Sequence, residues 1–324
     1  MCDVGLNADR PWLAVVMPIH NGAMYLRETL CSLAAEADER VEIIIIDSSD
    51  DDRCRRIVSD FGILNIDYSF RPDLKPWTVK TNQAVSRARA PYITMLHQDD
   101  LWLPGRLKIV RDAFKAVPEA AVCITPSTIV DMRGQHLGTW RCPLKKKARV
   151  SVWSGEPLLI RLLTQNFISI AAPVIRRVDW LAVNGLDEAL WYTADWDLYL
   201  KLAQRGSIIY ADVPTVSFRV HPQSLTITGA RSIIEFQRQM RMVVDRHNGA
   251  VSAGRQRHAR QLAEVSVAVN VALASAISRN FRPVWPAMKR LLRLSPRMLA
   301  KYLMYSRIVE RAVPRIRARL SGAL

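Results

Sequence analysis

Six consecutive residues, Val41–Ile46 (VEIIII), run apolar and β-branched with almost no alternation and end on Asp47. A half-exposed strand alternates polar and apolar residues, so this run predicts a strand covered on both faces, the habit of parallel sheets. Similar runs flank it: Trp12–Met17 (WLAVVM), stopped by Pro18, a stretch near Asn65–Phe70, and Tyr92–Leu96 (YITML). Between them lie helical patterns. Asn21 is placed to cap Ala23–Ala37, whose Met24, Leu26, Leu30 and Leu33 recur near helical spacing, and Asp52–Phe61 and Trp77–Arg89 follow. This alternation predicts an α/β fold with a doubly wound parallel sheet, in which ligands bind beyond the carboxyl ends of the strands. Neither G-x-G-x-x-G nor a P-loop pattern is present, which argues against dinucleotide and P-loop chemistry.

The region from Leu101 to Thr228 is mixed. Pro104 opens a helix through Ala116, and Ala120–Val130 reads as one strand ending at the Arg133-Gly134 turn. Lys145–Lys147 and Arg149 read as a solvated loop, Ser154–Thr164 and Asp195–Gln204 as helices, and Ser207–Ala211 and Thr215–Val220 as strands. From Gly229 onward the chain is helical, punctuated by Gly249, Pro283, Pro296 and Pro314. The charge divides at the same place. Residues 229–324 hold 19 Lys/Arg and 4 Asp/Glu, whereas residues 1–228 hold 27 and 26. The expected organisation is a near-neutral body, 1–228, and a basic amphipathic helical region, 229–324, in which Leu291, Leu292, Leu299, Tyr302, Leu303 and Val309 share one stripe.

Five scattered cysteines with no C-x-x-C spacing argue against disulfide or zinc frameworks and for a reducing compartment. The first residues lack a signal-peptide pattern, and the most apolar stretch, Leu262–Ile277, is broken by Glu264, Ser266, Asn270 and Ser275. The expectation is a cytoplasmic protein, soluble or peripheral on the inner membrane face.

Three acidic motifs carry the chemistry. HQDDLWLP (His97–Pro104) directly follows the fourth strand, and adjacent carboxylates there need a cation or hydrogen-bond donors. Mg²⁺ or Mn²⁺, completed by substrate phosphates, is one solution, and a capping loop is the other. DSSDDD (Asp47–Asp52) follows the second strand, where a ribose or base edge is read or a helix is capped. In TADWDLYLKL (Thr193–Leu202), Asp195 and Asp197 are two apart, so at most one of them points into a site. Trp102 and Trp196 read as packing residues, Met24 and Met95 as core, and His136, His247 and His258 as surface or satisfied histidines.

In sequence order, VVMPIHN, IIIID, YITMLHQDDLWLP, NGLDEALWYTADWDLYLKL and FRVHPQSLT, spanning Trp12 to Thr228, resemble the family two glycosyltransferases of GT-A fold. The resemblance implies transfer of a sugar from a nucleotide-sugar donor, with a lean to uridine, to a glycan or lipid-linked acceptor hydroxyl, with inversion. It also implies a divalent cation, Mg²⁺ or Mn²⁺. Residue by residue, Pro18, His20 and Asn21 match the turn around the base, and Asp47 matches the carboxylate on base or ribose. Lys80 falls near the diphosphate, with Asn82 beside the donor. Asp99 matches the ribose or metal ligand and Asp100 the metal ligand. Asp195 matches the catalytic base and Asp197 a structural carboxylate. Arg219 and His221 match a loop closing over the diphosphate, His221 joining the metal shell. His97 stands where the commonest motif, D-x-D-D, has its first Asp, and Ala194 where an acidic residue often precedes the base. The departure at His97 leaves a second reading open, a non-catalytic sugar-nucleotide-binding or scaffold module at a membrane. For the basic region, the expectation is an anionic membrane face, with packing plus homodimerisation and nucleic-acid binding as the competing readings, nucleic acid being the weakest.

Overall fold

The computed structural model describes residues 10–143, 150–224, 232–277 and 280–320. The Lys145–Lys147 and Arg149 loop and the body–tail boundary at 228 lie outside them. An eight-stranded sheet has the order β3 (Ile66–Phe70), β2 (Val41–Asp47), β1 (Leu13–Ile19), β4 (Tyr92–Met95), β10 (Val174–Arg176), β6 (Val122–Ile124), β11 (Ile208–Ala211) and β9 (Val150–Trp153). It is mostly parallel, but β10 runs antiparallel to β4 and β6, and β9 to β11. A smaller sheet has the order β5 (Leu101–Trp102), β12 (Val216–Arg219), β7 (Ser127–Val130) and β8 (His136–Trp140). The single strand expected over Ala120–Val130 divides because Pro126 cannot donate to a ladder, and its halves enter different sheets.

The isoleucine run behaves as its pattern requires. Ile44 and Ile46 join one core cluster, Ile43 and Ile45 the other, so successive side chains serve opposite faces of β2. Each is no more than 2% exposed, and each contributes about 1.5–3 kcal/mol by burial. Glu42 breaks the apolar run where its carboxylate accepts from the backbone N–H of Arg89 and Ala90 at 2.7 and 2.8 Å.

The sheet is flanked by α1 (Ala23–Ala34), α2 (Arg53–Ser59), α3 (Trp77–Arg87), α4 (Arg106–Ala116), α5 (Gly155–Thr164), α6 (Arg177–Ala182) and α7 (Ala194–Arg205). Asn21 does not cap α1. Gly22 occupies that position, while Asn21 sits at φ 53° with its side chain bonded to Asp50. Met24 is 71% exposed rather than core, because α1 buries the opposite side through Tyr25, Leu26, Thr29, Leu30 and Leu33.

Among the described residues five helices follow: α8 (Ile233–Asn248), α9 (Ala253–Ile277), α10 (Val284–Leu292), α11 (Pro296–Ser306) and α12 (Ile308–Leu320). They are not an independent appendage. Phe236, Met240, Val243 and Val244 of α8 and Ala263, Val267 and Val271 of α9 belong to the same core cluster as Val16, Ile44 and Tyr199. A second seam joins Leu262, Val265 and Val269 of α9 to Met298 and Tyr302 of α11. The expected single stripe is divided, since Tyr302 is 1% exposed whereas Leu292 is 74% and Val309 67%. Pro314 lies inside α12 instead of ending it.

Candidate active site

The carboxyl ends of β1, β2 and β4 meet at one edge of the large sheet, and the loop after β4 is fastened there. The Gln98 amide accepts from the His20 N–H at 2.8 Å and donates to the His20 carbonyl at 3.0 Å. Gly22 is needed beside this pair, since a Cβ there would come within 2.4 Å of Gln98 Oε1. Nothing in the sequence pattern singled out Gln98.

The loop aims Asp99 and Asp100 differently. Asp100 is 1% exposed and its Oδ1 accepts from the Arg219 N–H at 3.0 Å. Burial and the neighbouring Asp99 charge push its carboxyl well above the usual range. Asp99 is more open, its side chain 19% exposed, and its Oδ2 lies 2.8 Å from His221 Nε2. His97 packs edge-on against Trp77, and its buried Nε2 has no partner. Burial lowers the His97 pKa, which keeps the ring neutral.

Behind this edge lies a cavity of about 200 Å³ walled by Trp77, Trp140, Trp191, Tyr192 and Phe218, with His97, Asp99, Asp100 and Asp195 facing it. Asp195 stands in the first turn of α7. Its Oδ1 accepts from the Trp196 N–H at 2.7 Å and its Oδ2 from Asn166 Nδ2 at 2.9 Å. Burial raises its carboxyl to about 6, against the pull of those two bonds. Asn166 precedes β10 in a loop and carried no sequence signal. Asp197 points the other way, fully buried, and is held by His247 at 2.8 Å, Arg246 at 2.8 Å and Lys201 at 3.1 Å. The two-residue spacing had required that split. Trp196 packs as expected, 3% exposed, with Nε1 donating to the Leu162 carbonyl.

The basic region reaches the cavity as well. Asn270 of α9 and Arg311 of α12 line it, and Arg311 Nη2 donates to Asn270 Oδ1 at 2.6 Å. Asn270 in turn donates to Gln165 Oε1 at 2.8 Å.

Other residues expected at the donor are occupied elsewhere. Pro18 is inside β1, paired with Ile46, and is not part of a turn. Asp47 is 0% exposed, its carboxylate consumed by Ser49 N, Ser49 Oγ and the Tyr68 hydroxyl, and it does not line the cavity. Lys80 is 1% exposed and donates to the Ile19 carbonyl and Ser48 Oγ, so it braces the ends of β1 and β2 rather than facing a diphosphate. Asn82 bonds the Leu186 carbonyl and Glu188, fixing the segment ahead of α7. Arg219 is the exception: it ends β12, is 1% exposed and lines the cavity. It donates to the Asp99 and Asp131 carbonyls and to Glu28, and lies 4.8 Å from the Tyr25 ring centroid. Of this group His20 and Asn21 stay exposed, beside Asp50 and Lys75.

Among the described residues, no trio of His, Cys, Asp or Glu is grouped to hold a metal alone. Asp100, expected as the metal ligand itself, is buried with Oδ1 on the Arg219 N–H, which leaves Asp99 and His221 as a partial donor pair. That suits Mg²⁺ or Mn²⁺, which take one or two carboxylates and complete their shell with phosphate oxygens and water.

Comparison with known proteins shows what the chain and its fold are similar to. Residues 14–161 match the family model for glycosyl transferase family 2. An uncharacterized glycosyltransferase of Rickettsia typhi is 24% identical over 234 residues, 71% of each chain. Staphylococcus aureus TarS 1-349, solved with UDP-GlcNAc, shares the fold at a TM-score of 0.55 and 16% identity, over 86% of this chain and 88% of that one. A mannosyltransferase of Pyrobaculum calidifontis, solved with GDP-Man and Mn²⁺, superposes with the same TM-score and identity over 95% of this chain and 87% of its own.

Proposed function

We propose that this chain, whose residues 14–161 match glycosyl transferase family 2 and whose fold is that of GT-A glycosyltransferases, transfers a sugar from a nucleoside diphosphate sugar to a glycan hydroxyl with inversion at the anomeric carbon. The observation that carries this reading is one cavity faced by both the Asp99–Asp100 pair and Asp195. Asp195 is the general base. Its carboxyl, raised to about 6 by burial and oriented by Asn166 and the Trp196 N–H, is ionised at neutral pH yet basic enough to take a hydroxyl proton. Asp99 and His221 would hold a divalent cation, with Asp100 buried beneath them, and such an ion would supply charge stabilisation for the departing diphosphate. The exposed His20 and Asn21, with Asp50 and Lys75, form the edge against which the nucleoside lies. The cavity's Trp and Phe walls suit the apolar faces of a sugar ring. His97, in place of a carboxylate, leaves the Asp99–His221 pair intact.

The test is a donor panel containing uridine and guanosine diphosphate sugars with Mn²⁺ or Mg²⁺. Wild-type protein should turn over one donor. Asp195→Asn should lower kcat about 10²–10⁴-fold with donor affinity kept, and Asp99→Asn should weaken donor binding together with metal dependence. Full turnover by Asp195→Asn would remove the base assignment, and donor binding without turnover would favour the binding module.

A further inference from the structure

Helix α10 turns an apolar edge away from the protein. Trp285, Met288 and Leu292 are 72%, 44% and 74% exposed, and their spacing places them on one face. Phe281, just ahead of the helix, is 65% exposed, whereas Ala287 on the opposite side is buried in the α9–α11 seam. A contiguous patch of this kind marks an interaction surface.

The charges around it have one sign. Arg282, Lys289 and Arg293 adjoin the apolar face, and between Val265 and Val309 the sequence contains eight Lys/Arg and no Asp/Glu. Beside it, α8, α9 and α10 enclose a groove of about 440 Å³ in which Arg241, Arg282 and Arg290 stand around Val267 and Val271. Glu264, the acid there, is paired with Arg290 at 3.2 Å. Among the described residues, no helix is long and apolar enough to cross a membrane.

We propose that this face lies on an anionic lipid bilayer. Trp285, Met288 and Leu292 enter the headgroup–acyl boundary, and the bordering Arg and Lys side chains bind lipid phosphates. A second copy of the chain is a poorer occupant, because self-pairing of the face opposes like charges. A nucleic acid would leave the apolar centre uncovered. The proposal does not depend on the chemistry assigned to the cavity.

Flotation of the full chain tests it, with vesicles of phosphatidylcholine alone and of phosphatidylcholine mixed with phosphatidylglycerol. The chain is expected to float with the mixed vesicles only. Trp285→Ser/Leu292→Ser should reduce the bound fraction roughly tenfold or more, and Lys289→Gln/Arg293→Gln should reduce it and flatten its salt dependence. Both variants should keep the wild-type melting temperature and donor turnover. No wild-type flotation with either vesicle, or unchanged flotation of the Trp285/Leu292 variant, would overturn the proposal. So would a wild-type dimer that this variant dissociates without loss of vesicle binding.

Discussion

Under the proposed function Asp195 is the base, and its two hydrogen bonds make its behaviour testable. Both bonds favour the ionised carboxylate, while burial favours the protonated form. Activity that needs the ionised base therefore falls as pH drops through about 6. Removing the Asn166 amide takes away support for the charged form, so Asn166→Ala should move the acidic limb of kcat/KM to higher pH. An unmoved limb would show that Asn166 does not act on the base. The sequence had separated Asp195 from Asp197, because two residues on a helix subtend about 200° and cannot share a site. It assigned Lys80, Asp47 and Arg219 to the donor; the fold buries all three, and of them Arg219 still lines the cavity. Their residue types suit either role, and which one holds depends on distant partners: Ser48 for Lys80, Tyr68 for Asp47, Glu28 for Arg219. Local pattern carries no record of such long-range contacts.

Helices α7 and α8 share an apolar core and a polar cluster centred on one carboxylate. Asp197 gathers His247, Arg246 and Lys201, and although burial opposes the charge, these partners hold its carboxyl below the ordinary range. Its stabilising contribution is therefore complete above about pH 4 and is lost as pH falls through the lowered pKa. Asp197→Ala leaves buried His247 without its acceptor and should cost about 3 kcal/mol, read as a lowered melting temperature at neutral pH with a smaller difference in acid. An unchanged melting temperature would mean the cluster is decorative. Elements with a strong local signature, such as β2 and α7, were legible from sequence to within a residue or two. The strand over Ala120–Val130 was not, because the assignment of its halves to two sheets is made by their partners, β11 and β10 for Val122–Ile124 and β12 for Ser127–Val130.

At the scale of the whole molecule, the charge boundary near residue 228 is not a packing boundary. The basic region contributes to the central core through α8 and α9 and to the cavity through Asn270 and Arg311. Helix α12 also rests on β8, where a Cβ on Gly138 would meet Pro314 Cγ at 3.0 Å. A chain ending after Ser306 should keep the main core but lose the Arg311 wall, raising KM for the acceptor while donor hydrolysis persists. A chain ending before Ile233 should fail to fold, since Val243, Val244 and Val267 are each at most 1% exposed in the intact protein. Circular dichroism and kinetics on the two truncations check this, and a folded, active 1–232 fragment would refute it.

Asn270 and Arg311 also set a timetable. A cavity whose lining runs from residue 77 to residue 311 is unfinished until residue 311 has been made. A nascent chain still threaded through the ribosome can form the early strands, yet it has no completed chamber in which an acceptor could meet the base. On the proposed function, the acceptor side of the site is therefore the last part to form.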